Sequence, residues 1–467
     1  MYHPDVLFLS MLPWEPRYQR PHHVALGLAS RGCRVTYVSP QLAPGGSPGW
    51  SDQGDPAEGI RTATVGSAAR PYALSHPFPW AAEDRAATAT SLEMLINDHA
   101  LRCPLVFVNA PAWSPPLADL LRRMRLPVIY DCLDEHTGWD VEAASWLRRW
   151  EDELLHASQL VLAASAVLER RLRRKVRNVL HVPNGCDVDH FATALRHSGI
   201  LRNRLSPPIV GFFGAAGVAW FDTALVVAVA AARPQWSIAL VGPIEDRVGE
   251  LLSVVPNIHT LGEVSYEDLP RYCGDFDVAI IPWLLNELTE ATDPVKVWEY
   301  LASGKDVVAT PLPELFPLQG AVQLAETPEA TVGAVERVLE KGADEKGADA
   351  ERAVAVARSA TWSRRVDSFF DEMCACLPTV DVVVRLPPGR ARDLVVEMVR
   401  SDGFPCQILE GSDLAPSAIL GQSGRFTLVV HEGPPPPLAD AVHALVSQPA
   451  TREVDFCTAT LARTMPS

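Results

Sequence analysis

Short apolar runs recur along the first two thirds of the chain, separated by stretches whose apolar residues return every three to four positions. DVLFLSM at residues 5–11 has the length of a buried strand. A polar loop with Trp14, Arg17 and Arg20 follows, then the helical pattern HHVALGLASRG closed by Gly32, then the strand-like RVTYVSP. In such a strand–helix–strand unit a ligand sits at the carboxyl ends of the strands. The loop at residues 12–21 is therefore expected to face a crevice and to bring Arg17 and Arg20 toward it. Further strands are expected at residues 104–110, 127–133, 159–165 and 178–184, with helical patterns between them, and this alternation predicts a mostly parallel sheet. Polar residues gather past two of those strand ends: Asp131, Asp134, Glu135 and His136 at one, Asn184 and Asp187 at the other.

The pattern then starts again. PPIVGFFGAAG places a strand at residues 209–213 before a glycine loop with Gly211, Gly214 and Gly217, and a helix at residues 222–233. Glycines there let backbone approach a ligand closely and the helix start favours negative charge, although the spacing is not G-x-G-x-x-G. WSIALVG, NIHTLGE, VAIIPW and DVVATPL repeat the topology of the first half. The fold class expected is α/β: two Rossmann-like domains, residues 1–203 and 204–360, facing across a cleft. Residues 361–377, TWSRRVDSFFDEMCACL, form a helix that either closes the second unit or crosses back to the first. Residues 378–467 read as a small α/β appendix of about 90 residues, with strands in PTVDVVVRL, CQILEG and FTLVVHEG, helices at residues 391–400 and up to Val446, and prolines from Pro434 to Pro437. The charged GADEKGADAER reads as a surface helix or loop.

A length of 467 residues accommodates two large units and a smaller one. The hydrophobic content of 48% and charged fraction of 21% are those of a globular protein, and no stretch nears the roughly 20 unbroken apolar residues of a membrane span. The start, MYHPDVLFLSMLPW, shows neither a basic leader nor a small-residue cleavage site, which implies a cytoplasmic location. A net charge of -16 argues against nucleic acid as a partner. One basic run, LERRLRRKVRN, carries Arg170, Arg171, Arg173, Arg174, Lys175 and Arg177; it reads as a solvated helix end, or as a face for peripheral contact with an anionic membrane or acceptor. The nine cysteines lack metal-ligand spacing and are expected to be reduced. His22 and His23 read as cap or cleft-facing groups, and no metal is expected.

Chemistry concentrates in DFDVAIIPWLLNELTEATDPVKVWEYLASGKDVVATPLPEL. This reads as a buried strand ending at Trp283, a polar loop at residues 286–292, and a helix that Asp293 caps and Pro294 opens, closed at Gly304. Its free amides would point into the loop region, where a pyrophosphate could be held. Lys296 and Glu299 share one face, a cation for phosphate and a carboxylate for ribose hydroxyls.

At this point the chain resembles the GT-B glycosyltransferases, in particular the large retaining group whose donor motif is two glutamates separated by seven residues, then a helix and A-x-G-x-x-V-V. Glu299, Ala302, Gly304, Val307 and Val308 match; RYQRPHHVALGLASRGCRVTYVSP, HVPNGCDVDHF and PNIHTLGEVSYEDLPRYCGDFDVAIIPW also resemble that group, over residues 1–377. The resemblance implies a glycosyltransferase in bacterial carbohydrate biosynthesis that moves a hexose from a nucleotide diphosphate sugar to an acceptor hydroxyl with retention, the sugar nucleotide being a co-substrate and no cofactor being needed. It also implies that Glu299 binds ribose, that backbone near Gly262 to Val264 meets the base, that Gly214, Gly217, Thr292 and Asp293 border the donor, and that the amides from Pro294 through Val295 to Lys296 hold the distal phosphates. The position of the first glutamate is Ala291, with Glu290 or Asp293 as substitutes, and the glycine loop lacks the Arg and Lys that many relatives aim at the diphosphate, a duty left to Lys296, Arg17 or Arg20. Asp134 and His136 are the candidates for acceptor contact or proton handling. The acceptor is a small molecule, lipid or glycan, and the appendix a partner or oligomerisation module. A catalytically silent subunit and a sugar-nucleotide epimerase are the alternative readings.

Overall fold

The computed structural model describes residues 4–377, except positions 16, 45–46, 68–71, 74–78, 102–103, 139–142 and 197–198, and four strands beyond them. Asp5–Leu9, Leu105–Val108, Val128–Cys132 and Leu160–Ala163 are buried at every position, the signature of a parallel sheet covered on both faces. The first sheet runs Val179–His181, Leu160–Ala163, Val128–Cys132, Leu105–Val108, Asp5–Leu9, Arg34–Val38, Ile60–Ser67, Gln41–Pro44 and Tyr72–Ala73, with Trp50–Ala57 antiparallel to Ile60–Ser67. The strands between residues 41 and 73 went unread in the sequence. Trp50–Ala57 is WSDQGDPA and exposed along most of its length, so it has no buried face to impose alternation.

The second sheet is wholly parallel, in the order Ile258–Thr260, Ser237–Val241, Ile209–Phe213, Val278–Ile281, Val307–Ala309, Val322–Leu324. Strand order reverses between Ile209–Phe213 and Val278–Ile281, the switch point where ligands of such sheets bind. The last strand, VQL, is too short to read from sequence. In the appendix, Cys406–Glu410, Val380–Val384, Phe426–His431 and Phe456–Thr460 form a third parallel sheet in that order. The helices expected there lie outside the described residues.

The helix Trp362–Ala375, the return helix, crosses back to the first domain. Val366, Phe369, Phe370 and Met373 join Val6, Phe8, Val24 and Phe107 in one core, and a Cβ at Gly27 would stand 2.5 Å from Val366 Cγ2. Burying each such side chain contributes about 1.5–3 kcal/mol. The outward crossing comes earlier than residue 203. Cys186, Val188, Phe191 and Leu201 pack with Phe213 and Tyr300 of the second domain, and the buried Asp275 carboxylate accepts the backbone N–H of Gly199 and of Leu201 at 2.6 Å each. The two crossings touch: Cys186 bridges Thr361, and a Cβ at Gly185 would lie 2.7 Å from the Ala360 carbonyl oxygen. Among the described residues no helix is long and apolar enough to cross a membrane.

Candidate functional site

The helix Val295–Ala302, the donor helix, starts at the second sheet's switch point. Its entry differs from the sequence reading in three respects. The preceding strand ends at Ile281, and a short helix, Glu287–Glu290, occupies the expected polar loop, capped by Asn286 Oδ1 on the backbone N–H of Leu288 and Thr289 at 3.0 Å each. Pro294, not Asp293, is the N-cap; it has no N–H, so the free amides there belong to Val295 and Lys296. The Asp293 carboxylate instead accepts the backbone N–H of Asn184 at 2.7 Å, while its carbonyl accepts Asn184 Nδ2 at 2.7 Å.

Lys296 reaches back over the glycine loop. Its Nζ lies 5.1 Å from the Trp283 ring centroid and 5.7 Å from that of Phe212, and among the described residues no carboxylate stands within ion-pair distance of it. A Cβ on Gly214, whose φ is 127°, would meet Lys296 Cε at 2.3 Å. Gly214 thus gives the lysine its channel and exposes backbone beside the ammonium. Gly242, which the sequence reading passed over, completes the floor: at φ 135° its Cβ position is 2.3 Å from the Gly214 carbonyl oxygen, and its N–H donates to Gly262 O at 2.7 Å. The glycine that closes WSIALVG was the available signal. Gly217 is crowded by Trp220 and Glu245, and Val264 is half-buried beyond Gly262.

Glu299 is buried one turn along. Burial pushes its carboxyl up to about 7 against the pull of Lys296, and the same burial lowers Lys296. Asp134 faces this group from the first domain. Thr292 Oγ1 donates to its Oδ1 at 3.2 Å, and burial raises it to about 7, opposed by that hydrogen bond and by Arg20 and Lys296. The same hydroxyl lies 2.8 Å from Leu288 O, so its single hydrogen is shared between the two acceptors.

Other expected residues lie elsewhere. His136 is buried near Glu151, Glu135, Arg171 and Asp131 with Nε2 unpartnered, and desolvation lowers its pKa. Arg20 is buried and committed: Nε and Nη2 pair with Asp131 at 3.0 and 2.7 Å, and Nη1 donates to Val182 O and Asn184 Oδ1. Four of its five N–H hydrogens are thus taken within the protein, and the side chain is 3% exposed. Arg17 does cross between domains, but onto Glu263, at 2.8 Å. Glu290 is exposed at the end of its short helix, while Ala291 is buried against the first domain, its carbonyl accepting Ser165 Oγ at 2.6 Å. An acid at position 291 would be desolvated by that contact. In the basic run, Arg171 is clamped to Glu151 and Glu135, Arg173 to Glu169 and Lys175 to Asp152, leaving Arg170, Arg174 and Arg177 exposed. His22 serves as a cap, its Nδ1 accepting the Gln19 N–H at 3.1 Å, and His23 stacks on Trp362.

Two family models match the chain: a glycosyl transferase 4-like domain at residues 19–185, and glycosyl transferases group 1 at residues 207–341. TuaH of Bacillus subtilis (strain 168), named as a teichuronic acid biosynthesis glycosyltransferase, is 25% identical over 258 residues, which are 50% of this chain and 64% of that relative's length. Sucrose-phosphate synthase from Thermosynechococcus elongatus superposes with a TM-score of 0.61 at 17% identity, over 80% of this chain and 100% of that one. A UDP-forming α,α-trehalose-phosphate synthase from Burkholderia vietnamiensis gives 0.61 at 15%, over 80% and 99%. Anabaena HepE, solved with UDP and glucose, gives 0.55 at 16%, over 80% and 100%. With a glycosyl transferase 4-like model over the first parallel sheet and a glycosyl transferases group 1 model over the second, the chain belongs to the GT-B-type glycosyltransferases.

Proposed function

We propose that this chain transfers a hexose from a uridine diphosphate sugar to an acceptor hydroxyl with retention. The observation that carries the proposal is Lys296: a partly buried ammonium with no carboxylate within ion-pair distance among the described residues, beside the backbone of Gly214 and next to two free helix amides. Such a group lowers its own burial cost by meeting an anion, and the helix start adds to the attraction. Glu299, three residues on, would take the ribose hydroxyls, and backbone at Gly262 and Val264 the base. Uridine is favoured because the structural neighbours include one solved with UDP and one named as UDP-forming.

In the reaction, the bond from the anomeric carbon to the phosphate oxygen breaks with its electron pair leaving on the diphosphate. Lys296 and the amides of Val295 and Lys296 stabilise that charge. The acceptor oxygen forms the new bond, and its proton passes to the departing phosphate or to Asp134, which at about 7 is poised to exchange one. His136 takes the lesser part of shaping the acceptor side. A silent subunit is the second reading, favoured by the buried Ala291 at the position where the resemblance implies the first glutamate. The test is release of UDP from UDP-hexoses, with and without candidate acceptors. Release by the native chain that Lys296→Ala abolishes supports transfer, while binding without release supports the silent subunit.

A further inference from the structure

We propose that Asn184 and Arg20 are positioning residues for the transfer step: they lock the start of the donor helix to the first domain and thereby set where the diphosphate stands relative to Asp134. The inference rests on the reading of the site as a nucleotide-sugar site. Every polar group of Asn184 is committed. Its N–H and Nδ2 donate to Asp293 Oδ2 and Asp293 O at 2.7 Å each, its Oδ1 accepts Arg20 Nη1 at 3.1 Å, and its carbonyl accepts Arg365 Nε of the return helix at 2.9 Å. Arg20 continues the path to Asp131, three residues before Asp134 on the same strand end. A connected set of hydrogen bonds therefore runs from the strand that leads into Asp134 to the residue before the donor helix's cap.

Asn184, Arg20, Asp131 and Asp293 are at most 5% exposed, so water cannot replace a lost bond, and a half-satisfied network of this kind is costly. The grip on Asp293 is double, side chain and main chain, which fixes orientation as well as distance. Asn184 also stands where the two domain crossings touch, beside Gly185 and Ala360. The phosphate-facing groups sit on one domain and Asp134 on the other, and a misplacement of about 1 Å between reacting groups can cost about a hundredfold in rate.

Asn184→Asp separates positioning from anchoring. It keeps the backbone N–H and the acceptor for Arg20, but turns the donor facing the Asp293 carbonyl into an oxygen. Amide hydrogen exchange on the full unliganded chain should accelerate about tenfold across residues 293–302, the loss of one buried hydrogen bond, and stay unchanged across residues 20–29. Arg20→Lys, which cannot reach Asp131 and Asn184 together, should loosen residues 293–302 in the same way, and serves if Asn184→Asp folds poorly. UDP affinity by calorimetry should stay within about twofold, because the contacts assigned to UDP all lie in the second domain. Unchanged exchange at residues 293–302, equal acceleration at residues 20–29, or loss of UDP affinity in the variant would each overturn the proposal. Failure of the native chain to bind UDP would instead count against the functional reading and leave the exchange result to decide this one.

Discussion

Lys296, Glu299 and Asp134 share a property that ties the chemistry to stability: each is an ionisable group that burial pushes toward neutrality. Substituting Lys296→Ala should weaken binding of a nucleoside diphosphate far more than of the nucleoside, measured by calorimetry on both; equal losses would remove its phosphate role. For Glu299 a pH experiment isolates the burial cost. The unfolded chain ionises this carboxyl near its ordinary 4.5 whereas the folded chain does so at about 7, so the stabilising preference for the neutral form is complete below 4.5 and is lost as pH rises to 7. Glu299→Gln, neutral at every pH, should therefore gain stability relative to the native chain between about pH 5 and about pH 8 in thermal unfolding. A constant difference would show that Glu299 is not desolvated in the fold.

At the scale of elements, the glycine loop and the two bridging helices decide the geometry. Gly214→Ala puts a Cβ 2.3 Å from Lys296 Cε in a backbone conformation that L residues avoid, and should cost about 1–3 kcal/mol of stability together with diphosphate affinity. At Gly27, where the opening helix Arg20–Ala29 meets the return helix, Gly27→Val should destabilise by about 1–3 kcal/mol in denaturant titration and leave nucleotide affinity in place, because the overpacked contact is remote from Lys296. These elements were legible in the sequence to different degrees. Strands buried on both faces, such as DVLFL and IVGFF, announce themselves by unbroken apolar runs, and the donor helix by its period and its terminal Gly304. Asp293 misleads because a cap-forming residue before Pro294 looks local, whereas its partner is Asn184, more than a hundred positions away. Arg20 misleads in the same manner: proximity to a strand end indicates a crevice, but only tertiary contacts decide whether a side chain faces it or is engaged, as Arg20 is, by Asp131, Val182 and Asn184.

For the whole molecule, the two-domain arrangement follows from repetition of one strand–helix pattern, and the two adjacent crossings at Cys186 and Thr361 make the return helix part of the first domain's core. The third sheet shares no strand with the other two, so a chain ending after Pro378 should keep nucleotide binding, and a collapsed unfolding transition in that truncation would show that the appendix supports the core. The most direct test of the account is calorimetric titration of UDP into the native chain and into Glu299→Ala. Binding by the native chain, weakened by about 1–3 kcal/mol in the variant through loss of one charge-assisted hydrogen bond, is the predicted result. No binding to the native chain, or equal binding to both, would contradict the assignment of Lys296 and Glu299 to a nucleotide-sugar donor.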